Sequence, residues 1–327
     1  MRGFKIICIC WHSVDSDSIN PESLDGSNPT VSQFREQIGF LTEYYSPISI
    51  RQFVELSENP SLLGVYKKPP IVLTFDDGFK NVIDQALPVL SEFGVPASFF
   101  VIGQIIKNPD FVPWYVEGTQ MLRRTPKTTV VYQGTTLNPR SQEGRAKLMH
   151  LFYGAFQASH THAESETTLF ELSELLAVKR PGAGDLDSDL RLVNEDDLTK
   201  LGASSLLSIG SHAMTHRFLN NLSYTEQTFE LEQSQLVLSK ISPLYFPALA
   251  YPGGAFNDDT VAIAKGKYKC AFALASGSSY RNIHVYPRVI IGRNTASHLA
   301  YAISSLRLSY LLPVKRLLRT SRIWHAD

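Results

Sequence analysis

Two adjacent carboxylates, Asp76 and Asp77, are the residues of this sequence best placed to do chemistry. They follow the apolar stretch "IVLTF" and precede Gly78 in "PPIVLTFDDGFKN". Like charges at one place raise each other's pKa and cost stability unless a neighbouring group compensates for them. The pair is therefore either a solvated turn that caps a helix or the core of a reactive site.

A second stretch, "SHAMTH", places His212 and His216 four residues apart. Imidazoles at this spacing share one face of a helix, and they can also converge in a tight loop. With one carboxylate they form a three-ligand set that leaves positions open for water, as in catalytic zinc sites. Non-haem iron uses a similar set, so we expect one divalent ion, Zn²⁺, with Co²⁺, Ni²⁺ and Fe²⁺ as alternatives. One acid would bind the ion, and the other would accept a proton from water that the ion acidifies.

The elements that must position these residues are strands of a parallel sheet. Strand-like and helix-like patterns alternate along the chain, which predicts βαβ units. His12 follows "IICIC", the aspartate pair follows "IVLTF", His212 follows "LLSIG", and residues 252–254 follow "ALAY". In α/β barrels the carboxyl ends of the strands carry the active site, so four segments should converge on one rim.

Composition bounds the class of protein. The chain has 327 residues, of which 43% are hydrophobic and 19% charged, and its formal net charge is zero, so we expect a globular protein that does not bind nucleic acid. Cys8 and Cys10 lie two apart on a predicted strand, where a disulfide is improbable, and this pattern fits a reducing compartment. "MRGFKIICICWHSV" is typical of a strand rather than a signal peptide, and no stretch has the ~18 apolar residues of a membrane span. The expected location is cytoplasmic or membrane-peripheral.

Two regions depart from the strand–helix rhythm. Residues 107–196 are rich in proline and polar residues, with helices predicted around 142–158 and 167–178, and we expect an insertion on the rim of a single domain that covers residues 1–300. His160 and His162 within it are predicted to be solvated rather than ligands. Residues 301–327 form a basic amphipathic tail that either packs on the barrel or contacts an anionic membrane. Nothing in the sequence indicates the oligomeric state.

Three stretches carry a resemblance to a known family. "TFDDGF", "SHAMTH" and "YPGG" resemble the NodB-homology polysaccharide deacetylases of carbohydrate esterase family 4. "CWHSV" followed by "FREQIGFLTEYY" is similar to the branch that deacetylates exopolysaccharides such as poly-N-acetylglucosamine. The resemblance covers nearly the whole chain apart from the insertion and the tail. It implies a deformed (β/α)7 barrel with a helical insertion.

The resemblance also implies roles for individual residues. Asp76 would be the general base, and Asp77, His212 and His216 would hold the metal. Water activated by the metal would attack the carbonyl of an N-acetyl group, releasing acetate and a free amine. The metal and a backbone N–H would stabilise the oxyanion. The residues expected to bind the oxyanion and the substrate are Tyr251, Pro252 and Gly253.

The sequence departs from the family pattern in its third motif, which is usually Arg-x-Pro-Tyr. Ala250 stands at the arginine position and Gly253 at the tyrosine position. The backbone N–H of Gly253 can still serve the oxyanion, because it needs no side chain. Arg288 in "YPRV" is the candidate to orient the base in place of the lost arginine, and a surface ion pair is its alternative role.

The general acid is the second departure. The family's usual acid is the histidine of a C-terminal Leu-x-x-His motif, but His298 follows "NTAS" and lacks the leucine. The first and last strands of a closed barrel are neighbours, so His12 could deliver the same imidazole from the N-terminal side. We therefore predict His12 as the general acid, with a buried structural histidine as the alternative.

The predicted function is metal-dependent hydrolysis of N-acetyl groups from a polysaccharide, oligosaccharide or glycoconjugate. A related amidohydrolase that acts on a small cyclic amide or ureide is the first alternative, since the insertion could roof the cleft. A non-catalytic glycan-binding protein is the second alternative.

Overall fold

The structure is a computed structural model that describes residues 6–18, 28–201, 206–274 and 282–293, together with Leu299 and Ile303. His298 and most of the tail, whose roles were considered above, lie outside the described residues. In chain order the strands are β1 (Ile7–Trp11), β2 (Ser46–Ile48), β3 (Pro70–Phe75), β4 (Ala97–Val101), β5 (Val130–Tyr132), β6 (Thr135–Leu137), β7 (Leu207–Ser211), β8 (Tyr245–Ala250), β9 (Cys270–Leu274) and β10 (Tyr286–Ile290).

Seven parallel strands close into a barrel in the order β1, β3, β4, β7, β8, β9, β10 and back to β1. Strand β2 pairs with the first half of β3 beside this ring, and β5 and β6 form a separate antiparallel hairpin. Closure is made by β1, whose Ile9 stands opposite Leu73 of β3 on one side and opposite Val289 of β10 on the other. The predicted (β/α)7 barrel is therefore confirmed, and so is the prediction that its first and last strands are neighbours.

Seven of the ten helices named below, all but those that begin at Leu87, Gly103 and Trp114, begin after a polar side chain that caps them. Before the first helix, the Thr30 side chain accepts a hydrogen bond from the backbone of Gln33, whose side chain accepts one from the Thr30 N–H, so the two residues form a capping box. No helix among the described residues is long and apolar enough to cross a membrane. The helices are α1 (Val31–Tyr44), α2 (Ile50–Glu58), α3 (Leu87–Phe93), α4 (Gly103–Lys107), α5 (Trp114–Arg124), α6 (Gln142–Gln157), α7 (His162–Leu176), α8 (Glu195–Lys200), α9 (Tyr224–Ile241) and α10 (Asp258–Lys267).

Alternate residues of the strands face two different cores, as the two-residue period of a strand requires. One set, which includes Leu73 and Phe99, packs under the outer helices α1 and α3. The other set, which includes Cys8 and Phe100, fills the barrel, where Phe53 of α2 also packs. Because this inner face is apolar below the rim, any polar side chain that points inward near the carboxyl ends must find a specific partner.

The insertion builds its own small core from α5, α6, α7 and the hairpin of β5 and β6. The two predicted helices are present, although α7 begins five residues earlier than expected because Thr161 and Glu164 form a capping box before it. Helix α5 and the hairpin were not predicted. His160 and His162 are exposed, as expected for solvated histidines.

Candidate active site

The aspartate pair stands at the carboxyl end of β3 in a strained turn. The Asp76 N–H donates to the carbonyl of Trp11 over 3.0 Å, which continues the pairing of β3 with β1. Asp77 and Gly78 then take left-handed φ angles of +78° and +93°. A Cβ at Gly78 would lie 2.6 Å from the Cδ1 atom of Ile105, so only glycine fits there. Strain of this kind persists where the surrounding structure fixes it, and here it holds both carboxylates in one cavity.

The histidine loop follows β7 and converges as a tight loop rather than as a helix. The φ angles of Ala213 and His216 are +59° and +62°. A buried carboxylate from α9, that of Glu230, accepts hydrogen bonds from the backbone N–H groups of Met214 at 2.9 Å and Thr215 at 2.8 Å. Glu230 therefore fixes the path of the loop that carries both imidazoles.

Sequence reasoning did not single out Glu230. Its signal was its place on α9, where Gln227, Glu230, Leu231, Ser234 and Leu238 form the buried face. A glutamate is almost never fully buried unless it has partners, so an acid on that face indicates a specific bonding role.

Asp77, His212 and His216 are brought together as the predicted ligand set. The Oδ1 atom of Asp77 lies 3.2 Å from Nε2 of His212 and 3.5 Å from Nε2 of His216. One ligand atom from each of the three residues lies within 4.8 Å of the other two. His212 Nδ1 donates to the carbonyl oxygen of Ala250 over 2.8 Å, which leaves the lone pair of Nε2 facing Asp77.

This arrangement fits a divalent cation. Two lone pairs that face each other at about 3 Å repel unless a proton or a cation lies between them. Asp77 Oδ1 is also buried without a hydrogen-bond partner among the described residues. A carboxylate with two imidazoles suits Zn²⁺ and several other first-row ions, so the donor set fits such an ion without selecting one of them.

The protonation states of the three side chains are strongly coupled. Burial raises the pKa of Asp77, but the neighbouring His212 and His12 imidazoles outweigh it and hold that pKa well below its usual range. Burial and the charge of His212 lower the pKa of His216 to about 3. Burial also opposes charge on His212, yet Asp76 and Asp77 raise its pKa above the ordinary value.

Asp76 is held by Arg288, which the structure places inside the barrel. Arg288 is 1% exposed and donates to both carboxylate oxygens of Asp76, at 2.7 and 2.6 Å. It also donates to Thr74 Oγ1 at 3.0 Å, and its guanidinium lies over the rings of Phe100 and Phe272. Burial raises the pKa of Asp76, but the charge of Arg288 outweighs it and lowers that pKa overall. Since the pair is buried, the alternative of a surface ion pair is wrong.

His12 lies at the end of β1 on the same cavity and is partly exposed rather than buried. One of its ring nitrogens lies within 4.8 Å of an oxygen of Asp76 and of the Cys10 sulfur. Its position beside Asp76 follows from the pairing of β1 with β3.

The turn after β8 brings two of its three predicted residues to the cavity. Gly253 lines the cavity, and the described backbone hydrogen bonds of this turn use the N–H groups of Gly254 and Ala255 rather than its own. Tyr251 also lines the cavity, but its hydroxyl donates to the carbonyl of His284 over 2.7 Å. Pro252 is buried and is not among the cavity-lining residues.

The position of Gly253 explains the departure from the family motif. Its φ angle is +57°, and a Cβ there would lie 2.5 Å from the Phe218 ring and 3.0 Å from the Tyr153 hydroxyl. A tyrosine therefore cannot occupy this position in this chain. The space is taken by Tyr153, which comes from α6 of the insertion.

The cavity encloses about 350 Å³ between the barrel rim and the insertion. On the insertion side the Tyr115 ring lies against His216, with the ring centroids 4.8 Å apart. Burial and the Asp77 carboxylate raise the pKa of Tyr115 well above its usual value, so the phenol stays protonated. Sequence reasoning missed the lining residues that the insertion contributes, which are Trp114, Tyr115, Thr119, Arg123, Tyr153, Asp189 and Leu190.

Comparison with known proteins agrees with this geometry. Residues 64–139 and 156–268, more than half of the chain, match the family described as polysaccharide deacetylase. The matched ranges contain the aspartate pair and both loop histidines but exclude His12 and Arg288. The poly-β-1,6-N-acetyl-D-glucosamine N-deacetylase of Escherichia coli K12 is 30% identical over 109 residues, which are 33% of this chain and 15% of that longer protein.

Solved structures show the same fold. The Streptococcus pyogenes deacetylase PplD superposes with a TM-score of 0.58 at 17% identity, covering 92% of this chain and 98% of that one. IcaB from Ammonifex degensii superposes with a TM-score of 0.53 at 14% identity, covering 91% and 97%. At such identities the superpositions establish the fold alone. The resemblance predicted from the three motifs is confirmed, and the chain belongs to the polysaccharide deacetylase family.

Proposed function

We propose that this chain hydrolyses N-acetyl groups of a glycan with one divalent cation held by Asp77, His212 and His216. The observation that carries the proposal is the meeting of two differently held carboxylates in one cavity. Asp77 faces two imidazoles and has an unpaired oxygen, whereas Asp76 is fixed by Arg288. Two neighbouring carboxylates in such different environments can take different roles, with Asp77 binding a metal and Asp76 accepting a proton.

Asp76 acts as the general base. A cation at the site would acidify a water molecule and polarise the amide carbonyl. Asp76 takes a proton from that water while the water oxygen bonds to the carbonyl carbon. Arg288 fixes both oxygens of Asp76, so the carboxylate needs no reorientation, although the same contact lowers its pKa and hence its basicity.

His12 acts as the general acid. As the C–N bond breaks, it gives a proton to the leaving nitrogen, and the products are acetate and a free amine. Its place beside Asp76 allows the base and the acid to act on the same amide from one cavity. The Gly253 N–H faces the carbonyl oxygen, which gains negative charge during the attack.

The substrate class follows from the family and from the curated relative. The E. coli protein named above acts on poly-β-1,6-N-acetyl-D-glucosamine, and we propose an N-acetylhexosamine glycan here. Aromatic side chains at the cavity wall suit this class, because sugar rings pack on them; Trp114, Tyr115 and Tyr153 provide such a wall.

The test is acetate release from chito-oligosaccharides and from poly-β-1,6-N-acetylglucosamine. We expect release to stop after chelation and to return with Zn²⁺ or Co²⁺. If no N-acetylated glycan yields acetate under any of these conditions, the proposal is wrong.

The wall that the insertion builds favours a second candidate, hydrolysis of a small cyclic amide or ureide. A cavity of about 350 Å³ lies at the small end of the range for ligand pockets, ~300–1,000 Å³. Assays with N-acetylglucosamine monomer, oligomers of increasing length, cyclic amides and ureides separate the two functions. Ring opening without any deacetylation would establish the second.

A further inference from the structure

Tyr115 lines the cavity, and its hydroxyl forms no hydrogen bond of ordinary geometry with the described residues. Its ring comes from the start of α5 and lies against the ring of His216. The hydroxyl oxygen is buried. Unpaired buried hydroxyls cost stability and are rare, so each one in a native fold needs an explanation.

Asp77 provides the second observation. Its Oδ1 atom is also buried and unpaired, and both residues line the same cavity. The Asp77 carboxylate raises the pKa of the phenol through its charge and through a weak hydrogen bond that falls short of ordinary hydrogen-bond geometry. Because this contact is not a full hydrogen bond, the phenol remains able to donate to a third group in the cavity, and a phenol donor is suited to one that becomes negatively charged.

We propose that Tyr115 donates a hydrogen bond to the carbonyl oxygen of the reacting acetamido group as that oxygen gains negative charge. This rests on the proposed function. The insertion then supplies a donor to the reaction itself, opposite the backbone N–H of Gly253. Tyr153 does not fit this role as well, because its side chain is 38% exposed at the cavity mouth, where water can satisfy its hydroxyl.

The test is Tyr115→Phe, which removes only the hydroxyl. We expect kcat to fall about 10²-fold, as for the loss of one oxyanion donor, with KM and the Zn²⁺ dissociation constant changed less than about twofold. Affinity for a methylphosphonamidate analogue of the substrate, measured by calorimetry, should fall by a factor similar to that in kcat.

Tyr245→Phe is the matched control. Tyr245 also has a buried hydroxyl that forms no hydrogen bond of ordinary geometry with the described residues and has only a weak contact with Gln235, but it lies at the start of β8 and does not line the cavity. We expect its kcat and analogue affinity to equal those of the unchanged protein. Thermal denaturation should show that both variants fold, since each loses only an unpaired hydroxyl.

Two results would overturn the inference while leaving the proposed function intact. One is an unchanged kcat and analogue affinity in Tyr115→Phe. The other is a loss of activity that saturating Zn²⁺ restores, because Tyr115 would then only position Asp77. If the unchanged protein releases no acetate from any glycan, the proposed function fails, and this inference fails with it.

Discussion

The two sides of the cavity are built in different ways. On the barrel side two buried titratable groups have fixed partners: Arg288 holds Asp76, and the Ala250 carbonyl holds His212. On the insertion side the wall consists mainly of packed rings; Trp114 stacks on Phe156 with centroids 4.2 Å apart. We therefore expect the barrel side to determine which reaction can occur and the insertion side to determine which molecules reach it. Tyr115 is the proposed exception, an insertion residue that takes part in the reaction.

This comparison predicts its largest effect for Asp76→Asn on the barrel side. The amide keeps the shape but cannot accept the proton, so kcat should fall by a factor of about 10²–10⁴. Zn²⁺ affinity should be retained, because Asp76 is not a ligand. Steady-state kinetics with calorimetry of Zn²⁺ binding test both parts. Asp84→Asn, the same substitution at an exposed position in the π-helical turn Val82–Ala86 before α3, is the control. A variant with unchanged kcat would assign the base to another group.

The next effect concerns stability. Arg288→Met leaves the buried Asp76 carboxylate unpaired, and the free energy of unfolding should fall by about 3–5 kcal/mol. The double variant Asp76→Asn/Arg288→Met removes both charges and should recover much of this loss. Urea unfolding gives the free energy of unfolding of the unchanged protein, the single variant and the double variant. A double variant no more stable than Arg288→Met would mean that packing of the arginine, not its charge, is what matters.

The ion pair of Asp76 and Arg288 also makes the free energy of unfolding depend on pH, and the direction of that dependence can be predicted. Because the folded-state pKa of Asp76 is lowered, its contribution is fully present above the unfolded value, about 3.9, and is lost as pH falls through the folded value. The free energy of unfolding, measured against pH, should therefore fall more steeply at acid pH in the unchanged protein than in Asp76→Asn.

A smaller effect is expected at Glu230, which acts on the barrel side through the histidine loop. Glu230→Gln should weaken Zn²⁺ binding by about 10- to 100-fold, the range for residues that orient metal ligands. Glu232→Gln on the same helix, where the side chain is 45% exposed, is the control. Equal Zn²⁺ affinity in the two variants would show that the loop holds its shape without the buried carboxylate.

The smallest effect is expected on the insertion side. Arg123 lines the cavity, and Asp189 fixes it with two hydrogen bonds of 2.9 and 2.8 Å. Arg123→Gln should raise KM about 2- to 10-fold, as for the loss of one hydrogen bond to the glycan, and leave kcat nearly unchanged. Arg124→Gln, at the more exposed neighbour, is the control. A fall in kcat would break the division between the two sides.

The same division explains what the sequence could predict. Asp76, Asp77, His212 and His216 were identifiable because their types and spacing follow apolar strands, and barrel closure then brings in distant His12. The insertion side could not be identified in this way. An aromatic residue such as Tyr115 carries no spacing pattern, and its role depends on which face of α5 meets the barrel.

Local sequence was also misleading where tertiary packing decided the outcome. Helix α5 lies in a stretch with several nearby prolines, and its ring contacts, rather than a clear periodic pattern, stabilise it. Glu230 looked like one more polar residue of a surface helix, but it is 3% exposed. The boundaries of the domain and the role of the tail stay predictions.

The most direct test of the central claim is a titration of chelator-treated protein with Zn²⁺, followed by the rate of acetate release from an N-acetylglucosamine oligomer. The rate should rise with added Zn²⁺ and level off at about one ion per chain, and Asp77→Asn should neither bind the ion nor release acetate. Acetate release that survives chelation, or Zn²⁺ binding that Asp77→Asn leaves unchanged, would contradict the account.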